Sequence, residues 1–199
     1  MRIDWQALVK MTLFDPKEAA GQVMALRRGL SNETLWTAVV LAAVLNALLV
    51  SLGFQIVPPT PEQIALTPPI FFKPGMLAVL GTGVFVLIIF VLFWSGRALG
   101  GQGDLHDMLA TFAWLQLVQA GVQIVIMVLT LIAMPLASLV NFVAFFWGLW
   151  ILVAFVDRVH GFDNPLKAFS VLALAFGLMM AGLVLVVLMI GALGEGMIG

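Results

Sequence analysis

Five long apolar blocks divide this chain of 199 residues, and they settle its architecture before any motif is considered. They run Leu35–Val57, Met76–Leu99, Met108–Ala133, Leu136–Val156 and Ala168–Leu193. Crossing ~30 Å of hydrocarbon as a helix takes ~20 apolar residues, and every block reaches that length. The expected fold class is therefore all-α: a polytopic membrane bundle of five transmembrane helices, preceded by an N-terminal cytoplasmic amphipathic helix. The expected division is 1–34 for the cytoplasmic segment and 35–199 for the five-helix membrane domain.

Orientation follows from the gaps between blocks. Arg2, Lys10, Lys17, Arg27 and Arg28 precede the first block, Arg97 closes the second, Arg158 closes the fourth and Lys167 opens the fifth. The alternate set of gaps holds only Lys73. Basic residues stay cytoplasmic during insertion, so the N-terminus is expected inside and the C-terminus outside.

A composition of 63% hydrophobic and 10% charged residues is that of a membrane protein, since soluble domains carry ~25% charge. A net charge of −1 offers no clustered basic face for nucleic acid. The absence of cysteine removes disulfides, thiolate catalysis, iron–sulfur clusters and cysteine-type zinc sites together. Met1–Ser31 is polar and amphipathic without an apolar signal region, so the first block is expected to insert uncleaved.

The segment before the first block has a helix start with a mechanism. Asp15 can N-cap, Pro16 suits the first turn and Glu18 would complete a capping box. Ala19, Val23, Leu26 and Leu30 form an apolar stripe at helical spacing, Gly29 is a stop, and Arg27 and Arg28 suit the C-terminal dipole. This reads as a helix lying on the membrane, either as a topological anchor or as a partner-binding or lipid-sensing element. Six of the nine prolines fall in Pro58–Pro74, which predicts an irregular external loop. Met134-Pro135 leaves almost no loop between spans three and four, which predicts a tight hairpin. Trp114, Trp147 and Trp150 lie deeper than the aromatic belt and are expected to face other helices.

The cytoplasmic junctions resemble a known family. Gly100-Gly101-Gln102-Gly103, followed by a helix carrying Phe112 and Trp114, is similar to the glycine pair and aromatic helix of Yip1-domain proteins. Trp150-Ile151-Leu152, leading through Asp157-Arg158-Val159-His160-Gly161 to Lys167-Ala168-Phe169, resembles that family's exit from span four and start of span five. The opening around Phe14-Asp15-Pro16 fits as well. The third span lacks, over Leu115–Val122, the proline that bacterial members often carry. The first span begins too early for the long cytosolic region of eukaryotic members, so the bacterial branch is expected. The resemblance implies a fold and a membrane, here a bacterial inner membrane, and no assigned reaction.

Three constellations bear on function. Gln116, Gln119 and Gln123 share one face of span three, with Asn46 and Asn141 at matching depth. An amide unsatisfied in lipid costs several kcal/mol, so these groups are expected to meet partners or water. They read either as interhelical hydrogen-bond glue or as a polar pathway for an ion or small solute. The absence of a mid-depth charge argues against proton-coupled transport. Ala43, Ala47 and Ser51, and again Ala173, Gly177 and Ala181, permit close helix approach within the chain or between copies.

The third constellation is cytoplasmic: Arg97, Asp104, His106, Asp107, Asp157, Arg158, His160 and Asp163 fall at two adjacent junctions. They are expected to form a composite patch that recruits a partner, with Gly100–Asp107 and Asp157–Lys167 side by side, the Asp15–Arg28 helix near them, and Arg97 and Arg158 balancing the aspartates. Capping explains these acids without metal, and no nucleophile, protease or P-loop pattern is present, so no enzyme, cofactor or metal is expected. The leading reading is a non-catalytic membrane-organising or partner-binding protein. Its expected partners are the lipid bilayer and another membrane protein or a second copy. Small-solute or ion permeation along span three is the alternative.

Overall fold

The computed structural model describes residues 4–196, with side chains described as far as Met189. Arg2 and the chain's last residue, Gly199, on which the orientation argument draws, lie outside the described residues, as do the side chains of 190–193 at the end of the fifth block. All regular structure among the described residues is helical. Two short helices, α1 (Trp5–Phe14) and α2 (Pro16–Arg27), open the chain. The five long helices are α3 (Asn32–Ile56), α5 (Pro74–Ala98), α6 (Leu105–Ile132), α7 (Met134–His160) and α8 (Pro165–Gly196), each apolar and long enough to cross a membrane. The shortest of them, at 25 residues, spans about 37 Å.

Local chemistry places the helix ends. Asp4 accepts from the Ala7 amide, Asp15 from Glu18, Ser31 from Thr34 and Asp104 from His106, each satisfying a first-turn donor that the helix leaves open. Asn164, not Asp163, caps α8 by accepting from the Leu166 and Lys167 amides. Gly161 ends α7 in the left-handed region, with φ 64°, as helix C-caps favour. Pro135 sits in the first turn of α7, which lets α6 and α7 join through Ala133 alone.

The Pro58–Pro74 stretch is more regular than its proline density implies. Pro61 opens the short helix α4 (Pro61–Leu66), and Pro69 opens a 3-10 turn over Pro69–Phe72. A first-turn proline forfeits no hydrogen bond. Thr60 and Gln63 close a reciprocal capping box, and Phe72 packs on Phe54.

In the bundle, α3 packs on α5 and α6, α6 on α7, and α8 on α5 and α7. Burial is concentrated at one end. Val39, Ile89, Leu109, Phe155, Val156, Ala168 and Val171 are almost wholly buried, and all lie within three turns or so of the end bearing the α5–α6 and α7–α8 loops. Toward the opposite end the helices expose most of their large apolar side chains, as a lipid-facing surface requires. Ala43 and Ala47 are buried, with Ala43 close to Gly81 of α5, so the α3 stripe serves packing within the chain. The α8 stripe is left open: Ala173, Gly177 and Ala181 are exposed, and α8 is seated by Ala168, Val171 and Ala175.

The opening segment is two helices, and its apolar face meets protein. α2 lies against α6 and α7, burying Ala19, Ala20 and Val23 in the same core as the long helices. Leu30, the last residue of the expected stripe, is exposed. α1 folds back at Asp15 and buries Leu8 and Thr12. Two deep tryptophans hold it: Trp114 Nε1 donates to Thr12 Oγ1 and Trp147 Nε1 donates to the Leu13 carbonyl, each at 2.9 Å. Trp5 also stacks on Trp114.

Candidate functional site: a composite polar face at the packed end

The α5–α6 loop and the α7–α8 loop lie side by side. The Gln102 amide donates to the His160 carbonyl at 3.0 Å and fixes the two junctions together. His160 is the wedge between them. Its ring is buried, stacked on Phe162, and Nδ1 lies 3.1 Å from the Val156 carbonyl, so that nitrogen carries the proton. The glycines explain themselves here. A Cβ on Gly96 would run into the ring, one on Gly101 would stand 2.7 Å from His160 Cβ, and one on Gly103 would stand 2.9 Å from Cδ2. The glycine run is therefore a socket for an imidazole contributed by the next helical hairpin. His160 Nε2 and Ser95 Oγ, beside Gly96, are buried without a hydrogen-bond partner.

The charges of this face are balanced from the N-terminal helices. Arg27 spans Asp104 and Asp107, with Nη2 2.8 Å from Asp104 Oδ2 and Nε 2.5 Å from Asp107 Oδ1. Lys17 Nζ bridges Asp157 Oδ2 at 2.9 Å and Asp163 Oδ1 at 2.8 Å. The Asp107 hydrogen bond holds the Arg27 guanidinium above its ordinary pKa, despite desolvation. The Asp163 and Asp157 hydrogen bonds raise the Lys17 ammonium in the same way. The Lys17 hydrogen bond holds the Asp163 carboxyl below its usual range. For Asp104, burial acts upward and is outweighed by hydrogen bonds from His106 and the charges of His106 and Arg27, leaving it depressed.

The expected counter-ions are corrected by this arrangement. Arg97 is exposed, its guanidinium 5.8 Å over the Phe93 ring, and Arg158 lies against Gly21. Neither makes an ion pair with the four aspartates among the described residues. Asp157 and His160 are buried structural members of the junction, whereas Arg97, Arg158 and Asp163 stand at its exposed rim, with Asp104, His106 and Asp107 half-buried. Among the described residues, no three histidine or acidic side chains are arranged to hold a metal ion.

Among the described residues, no side-chain hydrogen bond joins the intramembrane amides. Gln119 and Asn141 are exposed, while Asn46, Gln116 and Gln123 are half-buried. Beyond its first turn, α6 makes its side-chain hydrogen bonds through Thr111, Trp114 and Thr130, and through none of the glutamines. None of the five amides lines the small apolar void between Leu92, Met108 and Phe155, or the groove at the α1–α2 elbow. Sequence reasoning missed Thr12, Lys17 and Arg27 as members of the site, since nothing local to them names partners tens of residues away.

Five apolar helices, a core at one end and a face closed by an N-terminal helical pair define a polytopic α-helical membrane protein. The chain belongs to the Yip1-domain family: the model of the Yip1 domain matches residues 10–186, from inside α1 to inside α8. No curated protein and no solved structure matches the chain.

Proposed function

We propose that this protein is a non-catalytic accessory of a bacterial inner membrane, recruiting a protein partner to the composite face. The packed end is then cytoplasmic, because seven of the eight basic residues among the described residues lie at the inner ends of α5, α7 and α8 or on the α1–α2 segment that closes it, and only Lys73 lies at the other end. The observation that carries the reading is the division of labour at this face. Buried groups (Asp157, His160) fix the two junctions, half-buried ion pairs lock α2 across them, and Arg97, Gln102, Arg158 and Asp163 are left at the rim. A rigid scaffold presenting exposed polar groups suits recognition. The partner is a membrane protein, or a second copy of this chain, within the same bilayer.

A photo-crosslinking residue at Gln102, incorporated in native membranes, tests this. The expected result is a discrete protein adduct that Arg97→Glu abolishes while the protein stays folded. Adducts no more discrete than those from lipid-facing Phe176, or insensitive to Arg97→Glu, would reject the recruiting face.

A further inference from the structure

A groove of about 270 Å³ lies at the elbow between α1 and α2, against α7 and the start of α8. Its walls are Phe14, Trp150, Val153 and Ala154, and its floor is Asp15, Lys17 and Asp157. That volume is slightly below the range of sites for whole drug-sized ligands and suits a headgroup. Phe14 and Trp150 are 73% and 48% exposed, so the mouth is apolar and open.

Depth identifies the surroundings. Asp157 lies three residues from the end of α7, about 4.5 Å along the axis, which puts the floor at the end of the span. Trp150 lies ten residues from that end, about 15 Å in, so the wall reaches the hydrocarbon. Phe142, Phe146 and Trp150 recur every four residues as an exposed aromatic ridge leading away from the groove along α7. A charged floor continuous with an exposed apolar ridge matches a molecule that is polar at one end and a hydrocarbon chain at the other.

Charge narrows the headgroup. Two carboxylates, Asp15 and Asp157, line the groove against one cation, Lys17, leaving one negative charge in excess. Lys17 spends two ammonium protons on Asp157 and Asp163 and keeps a third to donate. Asp15 accepts one backbone hydrogen bond and keeps lone pairs free. An excess carboxylate beside one spare ammonium proton complements a zwitterion, its ammonium on Asp15 and its phosphate on Lys17.

We propose that this groove binds one glycerophospholipid whose headgroup carries a primary ammonium and a phosphate, with an acyl chain laid on the Phe142–Trp150 ridge. An anionic glycerol headgroup meets the excess negative charge without relieving it. A choline headgroup places its cation near Trp150 but has no N–H to donate to the carboxylates. The groove borders the recruiting face and shares Lys17 and Asp157 with it, but its ligand comes from the bilayer and its apolar walls lie within the span, away from Gln102 and Arg97.

The delipidated full-length protein in mild detergent is titrated with phosphatidylethanolamine, phosphatidylcholine and phosphatidylglycerol, and bound lipid is counted by native mass spectrometry. Phosphatidylethanolamine is expected to be preferred by about tenfold, the factor that one charge-assisted hydrogen bond supplies. Ala154→Phe fills the groove and is expected to remove the preference. Asp15→Asn keeps the helix cap, loses the charge and is expected to reduce the preference. Leu178→Ala on the exposed face of α8 leaves it intact. Equal retention of the three lipids overturns the proposal, as does a preference unchanged in both groove variants. If Ala154→Phe does not fold, Asp15→Asn decides alone. A dimer in which Phe14 and Trp150 become protected from labelling would assign the groove to a second copy instead.

Discussion

The indole N–H of Trp114 donates to the hydroxyl of Thr12 across 102 residues of chain, at 2.9 Å, with Thr12 wholly buried. Thr12 Oγ1 also donates to the Leu8 carbonyl at 2.8 Å, so one hydroxyl satisfies a donor of α6 and an acceptor of α1. Thr12→Val keeps the shape and strands the Trp114 N–H. The expected loss is about 1–3 kcal/mol, the cost of an unpaired buried polar group, read as a lower melting temperature in detergent. Thr12→Ser keeps the hydroxyl and is expected to fall well short of that loss. Equal effects of the two substitutions would assign the site to packing alone.

Arg27 reaches two carboxylates with two different nitrogens, a geometry that a lysine ammonium cannot reproduce at both. Arg27 and Asp107 are only 25% and 14% exposed, so the pair is partly shielded from solvent. Arg27→Ala is expected to destabilise the protein by about 1–2 kcal/mol after allowing for that exposure, and Arg27→Lys to recover part of it. Proteolysis between α2 and α3, at Gly29–Ser31, is expected to quicken in both. An unchanged cleavage rate would mean that the α2 core contacts alone hold the helix down.

The five spans were legible because an apolar run long enough to cross a bilayer needs no partner to declare itself. The helix starts at Asp15 and Asp104 were equally local, since a cap and the donor it serves lie within three residues. The placing of the Asp15–Arg28 helix beside the two junctions was legible, but the burial of its apolar face against α6 and α7 and the docking of α1 were not. The buried residues Thr12, Ala19 and Ala20 are small or polar, and a stripe that faces protein has the same period as one that faces lipid. The counter-ions were misassigned for a related reason. Arg97 and Arg158 are the bases nearest in sequence to the aspartates, but the pairs are made by Lys17 and Arg27 because α2 folds across both junctions.

His160 fills a space that exists only because Gly96, Gly101 and Gly103 lack side chains. Gly96→Ala is expected to prevent accumulation of folded protein, since the new methyl would occupy the place of the imidazole in a closed core. Pairing it with His160→Ala returns the space and is expected to restore much of the folded yield, measured by monodisperse elution in detergent. A double variant as poor as Gly96→Ala would show that the glycine is required for its backbone and not for the ring.

The ion pairs of α2 carry a pH dependence of definite sign. Asp163, lowered by Lys17, and Asp104, lowered despite burial by His106 first and by Arg27 last, have pKa values below the ordinary 3.8, so their contribution is complete above 3.8 and is lost as pH falls through the lower folded values. Lys17, raised above 10.5, contributes fully below 10.5 and loses that contribution as pH rises through its folded value. Docking of α2 is therefore expected to hold between about pH 4 and 10 and to loosen below that window. Because the chain has no cysteine, paired spin labels on α2 and α7 can report this distance without background. A distance that lengthens near pH 6 would assign the latch to histidine, and one constant down to pH 2 would leave apolar packing as the whole cause.

The basic residues commit the membrane orientation to a single outcome. Eight lie before the first span or at the helix ends that border the α5–α6 and α7–α8 loops, and only Lys73 lies on the other side. With five spans, a reporter fused before Met1 is expected to read cytoplasmic and one after Gly199 external. An odd span count requires the two readings to differ. Agreement between them would mean that one of the five apolar helices does not cross. The inverse pair of readings would keep the five spans and reverse the face, placing the Arg27, Lys17 and His160 junctions outside. Partner recruitment would then have to be sought among extracytoplasmic proteins.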